Sequence, residues 1–122
     1  MSAAKSSKFH LSSPPIPGLI HFSLTEVLGA VYLFGGVQGR AFTLPTTPGI
    51  DSLYRYDFTT EQWQQFNQKT SPWPGHRFAH TAVSYGTKLI IYGGMSYFNN
   101  NTGFYDDCWA FDTRTCCTCF YY

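Results

Sequence analysis

Val31-Tyr32-Leu33-Phe34-Gly35-Gly36 returns 58 residues later as Leu89-Ile90-Ile91-Tyr92-Gly93-Gly94, and this recurrence decides the architecture. Each copy is a run of β-branched and aromatic residues, the composition of a strand, stopped by a glycine pair. Downstream, Asp51-Ser52-Leu53-Tyr54-Arg55-Tyr56-Asp57 returns 55 residues later as Asp106-Asp107-Cys108-Trp109-Ala110-Phe111-Asp112, so the loop between the two repeated segments is three residues shorter in the second copy. Upstream, His80-Thr81-Ala82-Val83 has a weaker counterpart in His21-Phe22-Ser23-Leu24, ahead of turns at Gly86-Thr87 and Gly29. Trp63 follows Asp57 by six residues, the equivalent position in the second copy is Thr118, and no arginine in the first copy matches Arg77.

From Leu19 onward no stretch spaces its apolar residues as a helix would, whereas short apolar and aromatic runs alternate with Gly, Pro, Asn and Thr. The chain reads as all-β. Strands are expected at Ile20–Leu28, Ala30–Phe34, Ser52–Asp57, Trp63–Phe66, Phe78–Tyr85, Lys88–Tyr92 and Cys108–Asp112. Residues 1–18, rich in Ser and Pro, read as a flexible arm. An apolar strand ending in Gly-Gly, an aromatic strand ending in Asp and a Trp six residues on, repeated at about 50 residues, together resemble the kelch motif of β-propellers. The resemblance covers Ile20 to Thr115. It implies two kelch-like four-stranded antiparallel blades of an incomplete β-propeller. The first would span 19–67 and the second 68–115, the latter lacking its closing Trp strand, with 116–122 left as a Cys/aromatic tail.

Within such blades Gly35, Gly36, Gly93 and Gly94 are expected where the backbone bends and neighbouring strands approach closely. Tyr54, Tyr56, Trp63, Trp109 and Phe111 are suited to filling the wedge between blades, and Asp57 and Asp112 to capping tight turns. In a meander the loop between strands two and three opens on the same face as the connection between blades. Val37–Ile50, Met95–Tyr105 and Asn67–His76 should therefore meet there. Arg40, Phe42, Trp73, His76, Arg77, Tyr97 and Phe98 are the candidate partner-binding residues, because aromatic and Arg side chains on rigidly held loops suit protein recognition. For Trp73 and Phe98 the competing expectation is that they tuck under their own loops.

The composition narrows the function classes. The 122 residues carry 8 basic and 7 acidic side chains and a formal charge of +1, so no electrostatic footprint points to nucleic acid or an anionic membrane. Three of the four cysteines (Cys116, Cys117, Cys119) crowd the last seven residues, which is not the spread of a disulfide scaffold. The start has no apolar run of a secretory leader, and the expectation is a cytoplasmic protein with reduced thiols. Cys116-x-x-Cys119 has metal-ligand spacing, with Cys108 as a third thiolate through space, but no fourth ligand is apparent and no metal or other cofactor is expected. No nucleophile motif, paired carboxylates or phosphate loop appears, and the chain is not expected to be an enzyme.

The resemblance implies an adaptor or scaffold that binds another protein through its inter-strand loops, with self-association to complete a propeller as a further expectation. The rival it also implies is a fragment of a kelch-like metal-dependent enzyme, a copper oxidase or an iron-dependent specifier protein. A truncated product with little function of its own is the third reading, suggested by the cysteine-rich tail.

Overall fold

A computed structural model describes residues 15–39, 49–66, 72–98 and 101–121. The described residues form strands β1 (Leu19–Ile20), β2 (Ser23–Val27), β3 (Ala30–Phe34), β4 (Val37–Gln38), β5 (Leu53–Asp57), β6 (Gln62–Gln65), β7 (Thr81–Tyr85), β8 (Lys88–Tyr92), β9 (Met95–Phe98), β10 (Asn101–Phe104), β11 (Cys108–Asp112) and β12 (Cys117–Tyr121). Two four-stranded antiparallel sheets follow chain order, β2-β3-β5-β6 and β7-β8-β11-β12. These are the two blades. Their first strands, β2 and β7, lie side by side. Two small ribbons, β1 with β4 and β9 with β10, decorate one end of the blades.

The closing strand expected to be missing is present. Cys117–Tyr121 pairs in register along β11, with Thr118 opposite Phe111, so the tail is the fourth strand of the second blade. A Trp is not required there, because the Thr118 hydroxyl donates to the Pro72 carbonyl and anchors the strand to the inter-blade connection. The two long expected strands beginning at Ile20 and Phe78 are each broken, by His21 at φ 56° and Ala79 at φ 58°, conformations incompatible with a continuing ladder. The pairing also corrects the repeat by one residue. Ser23 pairs with Phe34 and Thr81 with Tyr92, so His80 is equivalent to Phe22 rather than His21.

Alternation along the strands sorts the side chains onto two faces. Val27, Ala30, Tyr32, Phe34 and Leu53 of the first blade face Leu89, Ile91, Trp109 and Phe111 of the second, and this inter-blade layer is the core. Phe66 stacks on Tyr32 and meets Phe111 edge-on at 5.5 Å, extending the layer outward. Trp109 and Phe111 thus lie in this inter-blade layer. Tyr54, Tyr56 and Trp63 do not, because the same register turns them to the far face of the first blade, where Tyr56 packs edge-on against Phe58 and Trp63. The far face of the second blade is open: Val83, Tyr92 and, at 77% exposure, Tyr85 stand in solvent.

Candidate functional site

At one end of the blades three chain segments converge. The Gly36 N–H donates to Arg77 O (2.9 Å), the Ile50 N–H to Gly36 O (2.8 Å) and the Arg77 N–H to Ile50 O (3.2 Å), a closed set of backbone bonds joining the two blades. The glycine pairs make this approach feasible. A Cβ on Gly35 would lie 2.8 Å from Arg77 O, and one on Gly36 would lie 2.9 Å from Ile20 O. The equivalent Gly93 N–H and Gly35 N–H donate to Asp107 O and Ser52 O, so both blades turn their third strand in the same way. The Phe78 and Met95 backbones exchange N–H···O bonds of 2.9 Å, which seats the β9–β10 hairpin beside the Gly75–His76 segment.

Arg77 is not a surface recognition residue. It is 1% exposed, and its guanidinium grips Asp107 bidentately, with Nη1 at 2.6 Å from Oδ1 and Nη2 at 2.9 Å from Oδ2. Nη1 also donates to Gly93 O (3.0 Å), Nε to Gly75 O (3.3 Å), and the group lies 4.2 Å over the Tyr105 ring. Asp107 accepts a further bond from Trp109 Nε1 (2.8 Å). Burial alone would raise the Asp107 carboxyl, but the bonds from Arg77 and Trp109 and the Arg77 charge outweigh it and hold the group below the usual carboxylate range. Arg77 is a keystone of the loop platform because its backbone binds the first blade and its side chain the second.

Of the other expected partner-binding residues, Arg40 and Phe42 lie outside the described residues, as does the side chain of Phe98 at the end of β9. Trp73 is half-buried, donates Nε1–H to Asp51 O (2.8 Å) and packs edge-on against Phe111, so it serves the inter-blade core. His76 and Tyr97 remain on the loop platform, His76 exposed with Nε2 3.7 Å from Asp51 Oδ1. Phe104, 79% exposed on β10, was not anticipated, although Met95-Ser-Tyr-Phe-Asn-Asn-Asn-Thr-Gly-Phe has the strand–polar turn–strand pattern of a hairpin. A cavity of about 420 Å³ lies between this hairpin and Gly75-His76.

Asp57 and Asp112 cap turns. Asp57 accepts the Thr59 N–H (2.7 Å) and Asp112 the Arg114 N–H (2.9 Å), and these bonds hold both carboxyls low. Among the described residues no three His, Cys, Asp or Glu side chains gather as a metal ion would need.

His80 is buried between the blades, with Nε2 2.8 Å from Ser23 Oγ, the ring edge-on to Phe34 and Nδ1 without a hydrogen-bond partner. Burial first, and the nearby Arg77 charge second, push its pKa down to about 4 from the usual 6.5. An unfolded His80 takes up a proton below about pH 6.5 that the folded ring refuses until about pH 4, so stability is full above this window and falls as pH drops through it. Denaturant titrations are expected to show a loss of about 2 kcal/mol between pH 7 and pH 5. In His80→Gln that slope should largely vanish; an unchanged slope would show that another group titrates.

The KLHDC2/KLHL20/DRC7 kelch-repeats domain matches residues 2–118. A Rab9 effector protein with kelch motifs from Homo sapiens is 34% identical over 96 residues, which is 79% of this chain and 23% of that protein. Its Xenopus laevis counterpart is 34% identical over 86 residues, 70% of this chain and 22% of the relative. Tip elongation aberrant protein 3 of Schizosaccharomyces pombe is 32% identical over 78 residues, 64% of this chain and 7% of its own length. The chain therefore spans less than a quarter of these curated relatives. The solved structure of YjhT superposes with a TM-score of 0.69 over 90% of this chain and 40% of that one, at 14% identity, a likeness of fold. With two four-stranded blades, paired glycines at equivalent strand ends and a family match along nearly its whole length, the chain belongs to the kelch-repeat family.

Proposed function

We propose that this chain is a protein-interaction module that presents its loop platform to a protein partner and performs no chemistry of its own. The convergence of Gly36, Ile50 and Arg77 in one set of backbone bonds carries the reading, because with the adjoining Phe78–Met95 exchange it holds the exposed His76 and the hairpin that bears the exposed Phe104 on one face. The relatives' name, Rab9 effector protein with kelch motifs, makes Rab9 the first partner to test.

Light scattering of the purified chain comes first, since the open face bearing Val83, Tyr85 and Tyr92 favours association with a second copy or a further blade. A mass above 13.8 kDa supports that association and a monomer counts against it. Binding to purified Rab9 is then compared for wild type, His76→Ala with Phe104→Ala, and Leu28→Ser in the β2–β3 turn at the opposite end. Loss in the platform variant, with binding retained by Leu28→Ser, is the expected result. The reverse pattern would put the binding face at the other end, and no binding at all would remove Rab9 as the partner.

A further inference from the structure

The backbone of the β9–β10 hairpin says what kind of partner segment the platform accepts. Opposed residues of an antiparallel pair alternate between exchanging hydrogen bonds and pointing them outward. The Tyr105 N–H donates to Gly94 O (2.9 Å), which marks Gly94–Tyr105 as a bonded pair. The next pair, Met95–Phe104, is then non-bonded, and consistently both backbone groups of Met95 are directed the other way, to Phe78. Tyr97–Thr102 is non-bonded by the same alternation. The N–H and C=O groups of Thr102 and Phe104 therefore line the outer edge of β10, and among the described residues no strand pairs with that edge.

Edges of this kind are usually guarded by Pro, Lys, a bulge or a covering segment. Asn101-Thr102-Gly103-Phe104 contains no Pro or Lys, and all four residues are exposed. The cavity of about 420 Å³ is lined by residues 101–105, by Ser96 of β9, and by Gly75 and His76. The hairpin base is held firmly, because the Tyr105 hydroxyl donates to His76 O (3.3 Å) while the Arg77 guanidinium covers its ring. A firm base lowers the ordering cost of an incoming strand.

We propose that β10 accepts an extended peptide segment of a partner protein as an added third strand. The Thr102 and Phe104 backbones would supply the hydrogen bonds and the Phe104 ring a contact for an apolar side chain of the segment. The inference rests on the loop platform being the binding face, and it deepens that reading by naming an extended backbone as the thing recognised.

The test uses displayed random dodecapeptides selected against the full chain, with affinities of the enriched peptides measured by titration calorimetry. Thr102→Pro removes one outward N–H at an edge position where proline is tolerated and leaves the hairpin's own bonds intact. Its expected effect is a loss of about tenfold or more in affinity, with circular dichroism unchanged. Peptide twins N-methylated at alternate residues should lose binding in one phase and keep it in the other, and the Thr102 and Phe104 amides should gain protection from hydrogen exchange on binding. His76→Ala and Tyr97→Ala are measured alongside. Binding weakened by these two but not by Thr102→Pro keeps the platform and overturns strand addition. Binding indifferent to all three variants overturns both, and a library that yields no binder overturns strand addition alone, since the Rab9 measurement still reads the face.

Discussion

Asp107→Asn is expected to destabilise the fold by roughly 3–5 kcal/mol, the usual consequence of stranding one partner of a buried ion pair. The asymmetry of burial makes this the worse side to break. Arg77 is 1% exposed and cannot reach water when its partner loses charge, whereas the Asp107 side chain is 17% exposed. The repeat itself suggests the compensating change. Arg77 occupies the position of Leu19, since Ile20 and Phe78 stand in equivalent places beside Gly36 and Gly94, and Asp107 occupies that of Ser52. The first blade thus builds the same corner from an apolar and a small polar residue. The double variant Arg77→Leu with Asp107→Ser should recover much of what Asp107→Asn loses, because a well-packed apolar replacement of a buried pair is often neutral or stabilising. Chemical denaturation of the single and double variants gives the coupling. A double variant no better than the sum of its parts would mean that the bonds to Gly93 O and Gly75 O, rather than the pair with Asp107, are what the corner needs.

That corner also shows where sequence reasoning reached and where it stopped. The strands β3, β5, β8 and β11 were legible because an apolar run ended by Gly-Gly, or an aromatic alternation ended by Asp, has few other readings in a chain without helical periodicity. Their pairing order was legible from the repeat. The closing strand of the second blade was not, since Cys117-Thr118-Cys119-Phe120-Tyr121 lacks the expected Trp, and its place is decided by backbone pairing with β11 and by the bond from Thr118 to Pro72. Arg77 looked like a recognition residue because an arginine in a linker after Pro74-Gly75-His76 gives no sign of burial. The sign was available elsewhere: Arg77 and Asp107 are both charged only in the second copy, and two oppositely charged departures in one repeat are the pattern of a private ion pair. Trp73 was ambiguous for a simpler reason. A large aromatic beside two prolines can face solvent or core, and only the position of Phe111 decides it.

Gly94→Val is expected to cost about as much, roughly 3–4 kcal/mol, by two separable routes. Gly94 sits at φ 97°, where any side chain is strained, and a Cβ there would come within 2.9 Å of both Phe78 O and the His80 Cβ. Neither neighbour can yield easily, because Phe78 O is bonded to the Met95 N–H and His80 is wedged between the blades. Its partner Gly93 is different. At φ 69° it carries the backbone strain, but the nearest atom to an added Cβ is Tyr105 O at 3.4 Å, an ordinary contact. Gly86, at φ 59° in the β7–β8 turn with nothing within 4 Å, isolates the strain alone. Gly86→Ala should therefore lose only about 1 kcal/mol, Gly93→Ala little more, and Gly94→Ala clearly more than either. Thermal melts of the three alanine variants separate conformational strain from steric exclusion. If Gly94→Ala melts with Gly86→Ala, the close approach of the second blade's entry segment to its glycine pair is not what the pair is for, and its role reduces to permitting the turn.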